Sequence, residues 1–367
     1  MPNRWKLALI TGAMIALIPA PAIAAQATFN TPSGVAVRGG VVYVADYNAV
    51  RKIQAGNVTT LAGPSSTTGA CPSGFANGIG AAARFDYVSA IAVGQITGNI
   101  YVTEHSNNTV RKITPAGVVT TLGGQGPLAI GTMAGPSVDG LPAVSTFNHP
   151  TGITIDATET FLYVNDSYDY SVRRIRISTG LTETIIARRN MNIPGQNGIG
   201  LPTGIAYRAL TKKLYINEQP YGRIREYNTL LTGIPVQAST LPILSPATFA
   251  LNHPSGIAVS LTGVIFVTQG NGTMTANNIS QGTLVGTSLT STIVAGSSTA
   301  GAGSVNNATG TLASFNTPSG IALNPFGTLL YIADQRNNKI RSMVTSGAHA
   351  VHSYAGSGVA GCADGPV

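Results

Sequence analysis

Charge is scarce in this sequence. Only 9% of its 367 residues are Asp, Glu, Lys or Arg, and the stretch from Tyr227 to Ala333 contains none of them. After Leu7–Ile18 there is no long apolar run, so the body of the chain offers no bilayer-spanning helix. A nucleophile elbow, a phosphate-binding glycine loop and a zinc-ligand spacing are all missing, which removes the motif-level case for those chemistries. No long stretch has helical periodicity. Low charge does not mean disorder here, because 43% of the residues are hydrophobic and they fall at period two, as in Val41-Val42-Tyr43-Val44 and Phe161-Leu162-Tyr163-Val164.

What is abundant is turn chemistry, with 44 Gly and 21 Pro. Between Pro318 and Gly356, four runs of strand length and strand composition are separated by Asn-Pro-Phe-Gly, Gln-Arg-Asn-Asn and Thr-Ser-Gly-Ala. Such a pattern predicts a four-stranded antiparallel meander. One meander cannot bury both of its faces, so it requires copies packed on either side.

The copies are present. Pro-Ser/Thr-Gly-Ile/Val stands at Pro32, Pro150, Pro202, Pro254 and Pro318, with a degraded version at Val88-Ser89-Ala90-Ile91. Marked by Gly34, Ala90, Gly152, Gly204, Gly256 and Gly320, the repeat has a period of 52 to 64 residues. The stretches before Gly34 and after Gly320 together make about one further period. The expected fold is therefore all-β, a six-bladed propeller of four-stranded antiparallel blades, with residues 25–367 forming a single domain.

Residues 1–24 read as a secretory signal peptide: Arg4 and Lys6, the apolar run Leu7–Ile18, then Ala22-Ile23-Ala24 as a small-residue cleavage site. No Cys follows to carry a lipid. Cleavage near Ala24 would deliver a secreted or periplasmic protein, and losing Arg4 and Lys6 would take the net charge from +8 to +6. The remaining cations cluster as Arg51-Lys52, Arg111-Lys112, Arg173-Arg174 and similar pairs. They are read as solvated third-strand charges. No aromatics interleave with them as base-stacking platforms would, so a protein or carbohydrate partner is expected before a nucleic acid.

Acids close the second strand of most repeats, and arginines follow at a fixed distance. Glu104/Arg111, Asp166/Arg173, Glu218/Arg225 and Asp334/Arg341 are each seven residues apart, and Asp46/Arg51 five apart. In the fifth repeat Gln269 replaces the acid and Ala276 stands seven residues on. Joint loss of both members predicts a structural carboxylate–guanidinium pair across the turn rather than a ring of metal-binding carboxylates.

Together the motifs resemble the NHL repeat: Phe29–Val37, then Val42–Asp46, Asn48–Lys52 and Val58–Gly63, with the same order again from Phe315. The resemblance covers nearly all of the chain after residue 24. It departs in the second repeat, at Val88-Ser89-Ala90, and in the fifth, whose third strand is hard to place within Gly270–Thr292. It implies a six-bladed propeller whose Pro-x-Gly strand lines a central channel. NHL propellers mostly serve as interaction platforms, though related rings include calcium-dependent lactonases and a lyase, so the fold alone does not set the chemistry.

Candidate ligand contacts lie where each inner strand begins at the channel mouth: Asn30, Asn148, His149, Asn252, His253 and Asn316. His149 and His253 share one slot, and two imidazoles could hold zinc if a carboxylate joined them; in these segments the only acid is Asp86. No cofactor is predicted, and a divalent metal is the lesser alternative. Cys71 and Cys362, an even pair in an exported chain, are the disulfide candidate. The resulting expectation is a binding platform for a protein, glycan or cell-envelope ligand. Its rivals are a metal-dependent hydrolase or lyase at the same mouth, and an adhesive protein using the neutral stretch Tyr227–Ala333.

Overall fold

A computed structural model describes residues 27–66, 71–127, 136–187, 199–231, 236, 241–244, 251–270, 277–285, 288–297 and 301–365. The proposed signal peptide, residues 1–24, lies outside them.

Six antiparallel sheets follow one another along the chain. Blade 1 is Pro32–Arg38, Val41–Asp46, Ala49–Gln54 and Asn57–Ala62, hydrogen-bonded in chain order. Blade 6 repeats the arrangement as Pro318–Leu323, Leu329–Asp334, Lys339–Val344 and Val351–Ala355. Blade 2 gains a short fifth strand, Gly78–Ile79, on its outer edge. In blade 4 the described sheet has three strands, Pro202–Arg208, Lys213–Glu218 and Arg223–Asn228, and residues 242–244 bond along the third. Among the described residues no helix is long and apolar enough to cross a membrane.

Packing follows the period-two pattern. Six apolar clusters form, each between neighbouring blades; Val42 and Val44 of blade 1 meet Tyr331 and Ala333 of blade 6 in one of them. The inner strands crowd together at the axis, and this explains the glycine of the Pro-x-Gly motif. A Cβ on Gly204 would lie 2.3 Å from the Ser255 carbonyl oxygen, and one on Gly320 would lie 2.6 Å from the Gly34 Cα. Hydroxyls at the position before the glycine staple blades to their neighbours: Ser33 donates to the Val88 carbonyl (2.6 Å), Ser89, which precedes Ala90, to that of Pro150 (2.7 Å) and Thr203 to that of Pro254 (2.8 Å).

Among the described residues, no four-stranded sheet combines strands from both ends of the chain, though Gly365 bridges to Val58 of blade 1. Blades 1 and 6 are each built from contiguous chain, and the residues after blade 6 run back along blade 1. Thr28 N–H donates to the Ala363 carbonyl and Gly361 N–H to that of Phe29, and a disulfide joins Cys71 to Cys362 with 6.1 Å between their Cα atoms.

One expectation needs correcting. The third-strand arginines are not solvated: Arg51, Arg111, Arg173 and Arg341 are fully buried and Arg225 nearly so. In blade 5, where neither acid nor arginine was expected, Ala276 lies outside the described residues. The third strand is Asn277–Val285, and Gln269 donates to Asn278 and Ser280.

Candidate functional site

The second-strand acids sit in one repeated node. Asp166 Oδ1 accepts the backbone N–H of Asn148 (2.6 Å), while Oδ2 takes Arg173 Nη1 (2.9 Å). Asp46 does the same with Asn30 N–H and Arg51, and Asp334 with Asn316 N–H and Arg341. Glu104 receives the N–H of Asp86 and pairs with Arg111 at 2.7 Å. Glu218 takes the N–H of Gly200 and pairs with both Arg225, at 3.0 Å, and Arg223. Each of these acids is buried, and desolvation pushes the Asp46 and Asp166 carboxyls up to about 6 against the pull of their arginines. With its oxygens directed at these donors, the acid ring is not turned toward a ligand.

The nodes orient the mouth. By fixing the N–H of Asn30, Asn148 and Asn316, each acid sets the residue that follows, and Thr31, Tyr87, His149, His253 and Thr317 all adopt the left-handed backbone region, with φ between 51° and 54°. Non-glycine residues there cost of order 1–3 kcal/mol each and persist only when their surroundings hold them. Side chains from the preceding blade do so. His149 N–H donates to Asn108 Oδ1 (2.7 Å), Thr31 N–H to Asn338 Oδ1 (2.9 Å) and Thr317 N–H to Asn277 Oδ1 (2.7 Å).

This geometry gathers aromatic rings along one side of the mouth. Tyr47 of blade 1 stacks on Tyr87 (centroids 5.4 Å apart), and Tyr87 on His105 of blade 2 (4.9 Å). His105 meets the edge of His149 (4.5 Å), and His149 packs on Tyr168 of blade 3 (4.6 Å). The row thus crosses three blades and ends at Tyr168, which is half exposed. Burial, reinforced by neighbouring His149, lowers the His105 pKa to about 4, and burial lowers that of His149, so both rings are neutral at pH 7. Asp86, beside the row, has its carboxyl raised by partial burial.

Beneath the row lies a pocket of about 190 Å³ on the channel axis, lined by Ser33, Ser89, Thr151, Thr203, Ser255 and Ser319 and reached past Tyr87 and Gln335. Its floor is the ring Val35, Ile91, Ile153, Ile205, Ile257 and Ile321, which also lines the pocket on the far side of the channel. Six β-branched side chains therefore divide the channel.

The mouth residues named from the sequence divide into groups. His149 joins the aromatic row, with Asn148 Oδ1 at 2.8 Å from its Nδ1. His253 does not join it; its ring is exposed and bonded to Asn252. Asn30 and Asn316 act through backbone N–H groups. Among the described residues no group of three or more His, Cys, Asp or Glu is arranged to hold a metal ion. Tyr47, Tyr87, His105 and Tyr168 were not singled out. The available signal was positional, since Tyr47 and His105 directly follow the acids Asp46 and Glu104, and Tyr168 follows Asp166 by two.

No family profile matches the sequence, and no curated protein matches it. Among solved structures, the fold is similar to that of a protein of unknown function from Bacteroides thetaiotaomicron (17% identity, 91% of this chain and 75% of that chain, TM-score 0.57). It is also similar to a virginiamycin B lyase from Staphylococcus aureus (16% identity, 89% and 84%, TM-score 0.51) and a gluconolactonase from Xanthomonas campestris (14% identity, 84% and 84%, TM-score 0.50). At these identities the likeness is one of fold.

Proposed function

We propose that the protein is an exported NHL-type propeller that acts as a binding platform, holding a neutral carbohydrate of the cell envelope or its surroundings against the aromatic row at the channel mouth. One observation carries this reading: Tyr47, Tyr87, His105, His149 and Tyr168 form a continuous uncharged row of ring contacts across three blades. Sugar rings present an apolar C–H face and a hydroxyl edge. Tyrosine and neutral histidine match both, offering a flat face and a polar rim. Asn148 and Asn252 add amides at the same mouth.

Nucleic acid is a poor match. Phosphate binding needs accessible cations, and the pocket beneath the aromatic row is lined by no Lys or Arg. A metal-dependent hydrolase or lyase at this mouth would need carboxylates turned toward the ligand, whereas Asp46, Glu104, Asp166 and Asp334 each face an arginine and a backbone N–H.

Retention on immobilised neutral polysaccharides, measured before and after EDTA, tests the reading. Retention that EDTA leaves unchanged is the expected result. Loss of retention with EDTA, or turnover of the bound material, would favour the enzymatic alternative.

A further inference from the structure

The face opposite the mouth carries a second pattern. Its surface is formed by the hairpins joining each inner strand to the next strand outward. Four of these hairpins carry exposed apolar side chains: Ile96, Leu210, Leu261 and Phe326, exposed by 66%, 73%, 65% and 86%. A hairpin tip in water has no packing reason to carry such residues, and four on one face make a pattern rather than scattered exposure.

The tips are held in place. Arg38 donates to the Gln95 and Ile96 carbonyls of the neighbouring blade, and Arg208 to the Leu261 carbonyl at 2.9 Å. Glu159 accepts the Ile96 and Thr97 N–H groups. Ile96, Leu210 and Phe326 belong to blades 2, 4 and 6, alternate members of a ring of six. They therefore stand about a third of a turn apart, and only a flat partner as wide as the ring can touch all three.

We propose that this face docks peripherally on an anionic lipid surface. Apolar tips would enter the headgroup boundary while Arg38, Arg208 and the exposed Lys212 meet the headgroups. The charge balance of the face favours this partner. Arg38, Arg208, Lys212 and Lys213 stand on it against Asp156, Glu159 and Glu226, a small positive excess. The hairpins bearing Leu261 and Phe326 lie in the uncharged stretch of the sequence. Between them opens a cleft of about 430 Å³, lined in part by Val259, Phe266, Leu323 and Pro325, with room for the end of an acyl chain.

Co-sedimentation of the exported chain with vesicles tests the proposal. One set contains phosphatidylglycerol and phosphatidylethanolamine, the other phosphatidylcholine alone. The expected result is salt-sensitive binding to the anionic set. Leu210→Ser/Phe326→Ser should weaken it tenfold or more at an unchanged melting temperature, and Arg208→Gln/Lys212→Gln should remove the preference for anionic lipid. Absence of vesicle binding, or equal binding by all variants, would overturn the proposal. So would a dimer in light scattering that Phe326→Ser abolishes, because the face would then be a self-association surface.

Discussion

Arg51 Nη2 lies 2.8 Å from Asp364 Oδ1, a partner 313 residues further along the chain. The same contact is local in other blades: Arg111 reaches Asn77, Arg173 reaches Asp139 and Arg341 reaches Asn306, each in the connection leading into its own blade. In every case the guanidinium also bonds two backbone carbonyls of that connection and lies over a phenylalanine, Phe29, Phe85, Phe147 or Phe315, at 5.2–5.5 Å. The connection into blade 1 is thus made of two chain segments, Ala27–Phe29 and Gly361–Gly365, meeting around Arg51.

The disulfide fastens that split connection. Because Cys71 and Cys362 are 291 residues apart, the bond constrains most of the unfolded chain. Cys71→Ser/Cys362→Ser should lose about 2–4 kcal/mol in urea unfolding while keeping its fold, since the backbone bridges around Arg51 remain. An unchanged midpoint would show that the bond contributes nothing to ring closure.

The arginine nodes should be strongly non-additive. Arg173→Ala leaves Asp166 buried without its cation and should cost about 3–5 kcal/mol. Blade 5 shows a neutral solution at the same place, Gln269 donating to Asn278 and Ser280. Asp166→Gln/Arg173→Ser should therefore be milder than Arg173→Ala alone. A double-mutant cycle on thermal melts reads the coupling, and simple additivity would contradict the node.

Stability should depend on pH through His105. Its folded pKa, about 4, is below the ordinary 6.5, so the unfolded state binds more protons between those values. The neutral histidine's contribution is complete above about pH 6.5 and is lost as pH falls toward 4. Full loss would be up to about 3 kcal/mol. Asp46 and Asp166, raised to about 6, slope the opposite way over part of this window. The check is accordingly the difference between wild type and His105→Gln, which should grow as pH rises from 4 to 6.5. A flat difference would refute the assignment.

Much of the architecture was legible because it repeats. Pro-x-Gly, the terminal acid and the following arginine recur often enough that period alone places the blades, and the loss of both partners in blade 5 marks them as a pair. The cysteine pair could be read from parity and compartment. Burial of Arg51 and its counterparts was not legible, because a guanidinium becomes internal only when a connection from elsewhere supplies carbonyls and a phenylalanine face. Nor was the aromatic row, since Tyr47, Tyr87, His105, His149 and Tyr168 each occur once and become neighbours only when three blades stand side by side. In blade 5 the partners of Gln269 are Asn278 and Ser280, nine and eleven residues on rather than seven, which a fixed spacing does not reveal.

The most direct test of the platform is tyrosine fluorescence. Trp5, the sole tryptophan, lies in the proposed signal peptide, so the exported chain should report through tyrosine alone. Titration with neutral oligosaccharides of about three to six units should change the emission saturably. Tyr168→Ala should weaken binding by about 1–2 kcal/mol, roughly five- to thirtyfold, with the melting temperature held. Saturable binding of equal strength in wild type and Tyr168→Ala, or no response to any neutral sugar, would contradict the account.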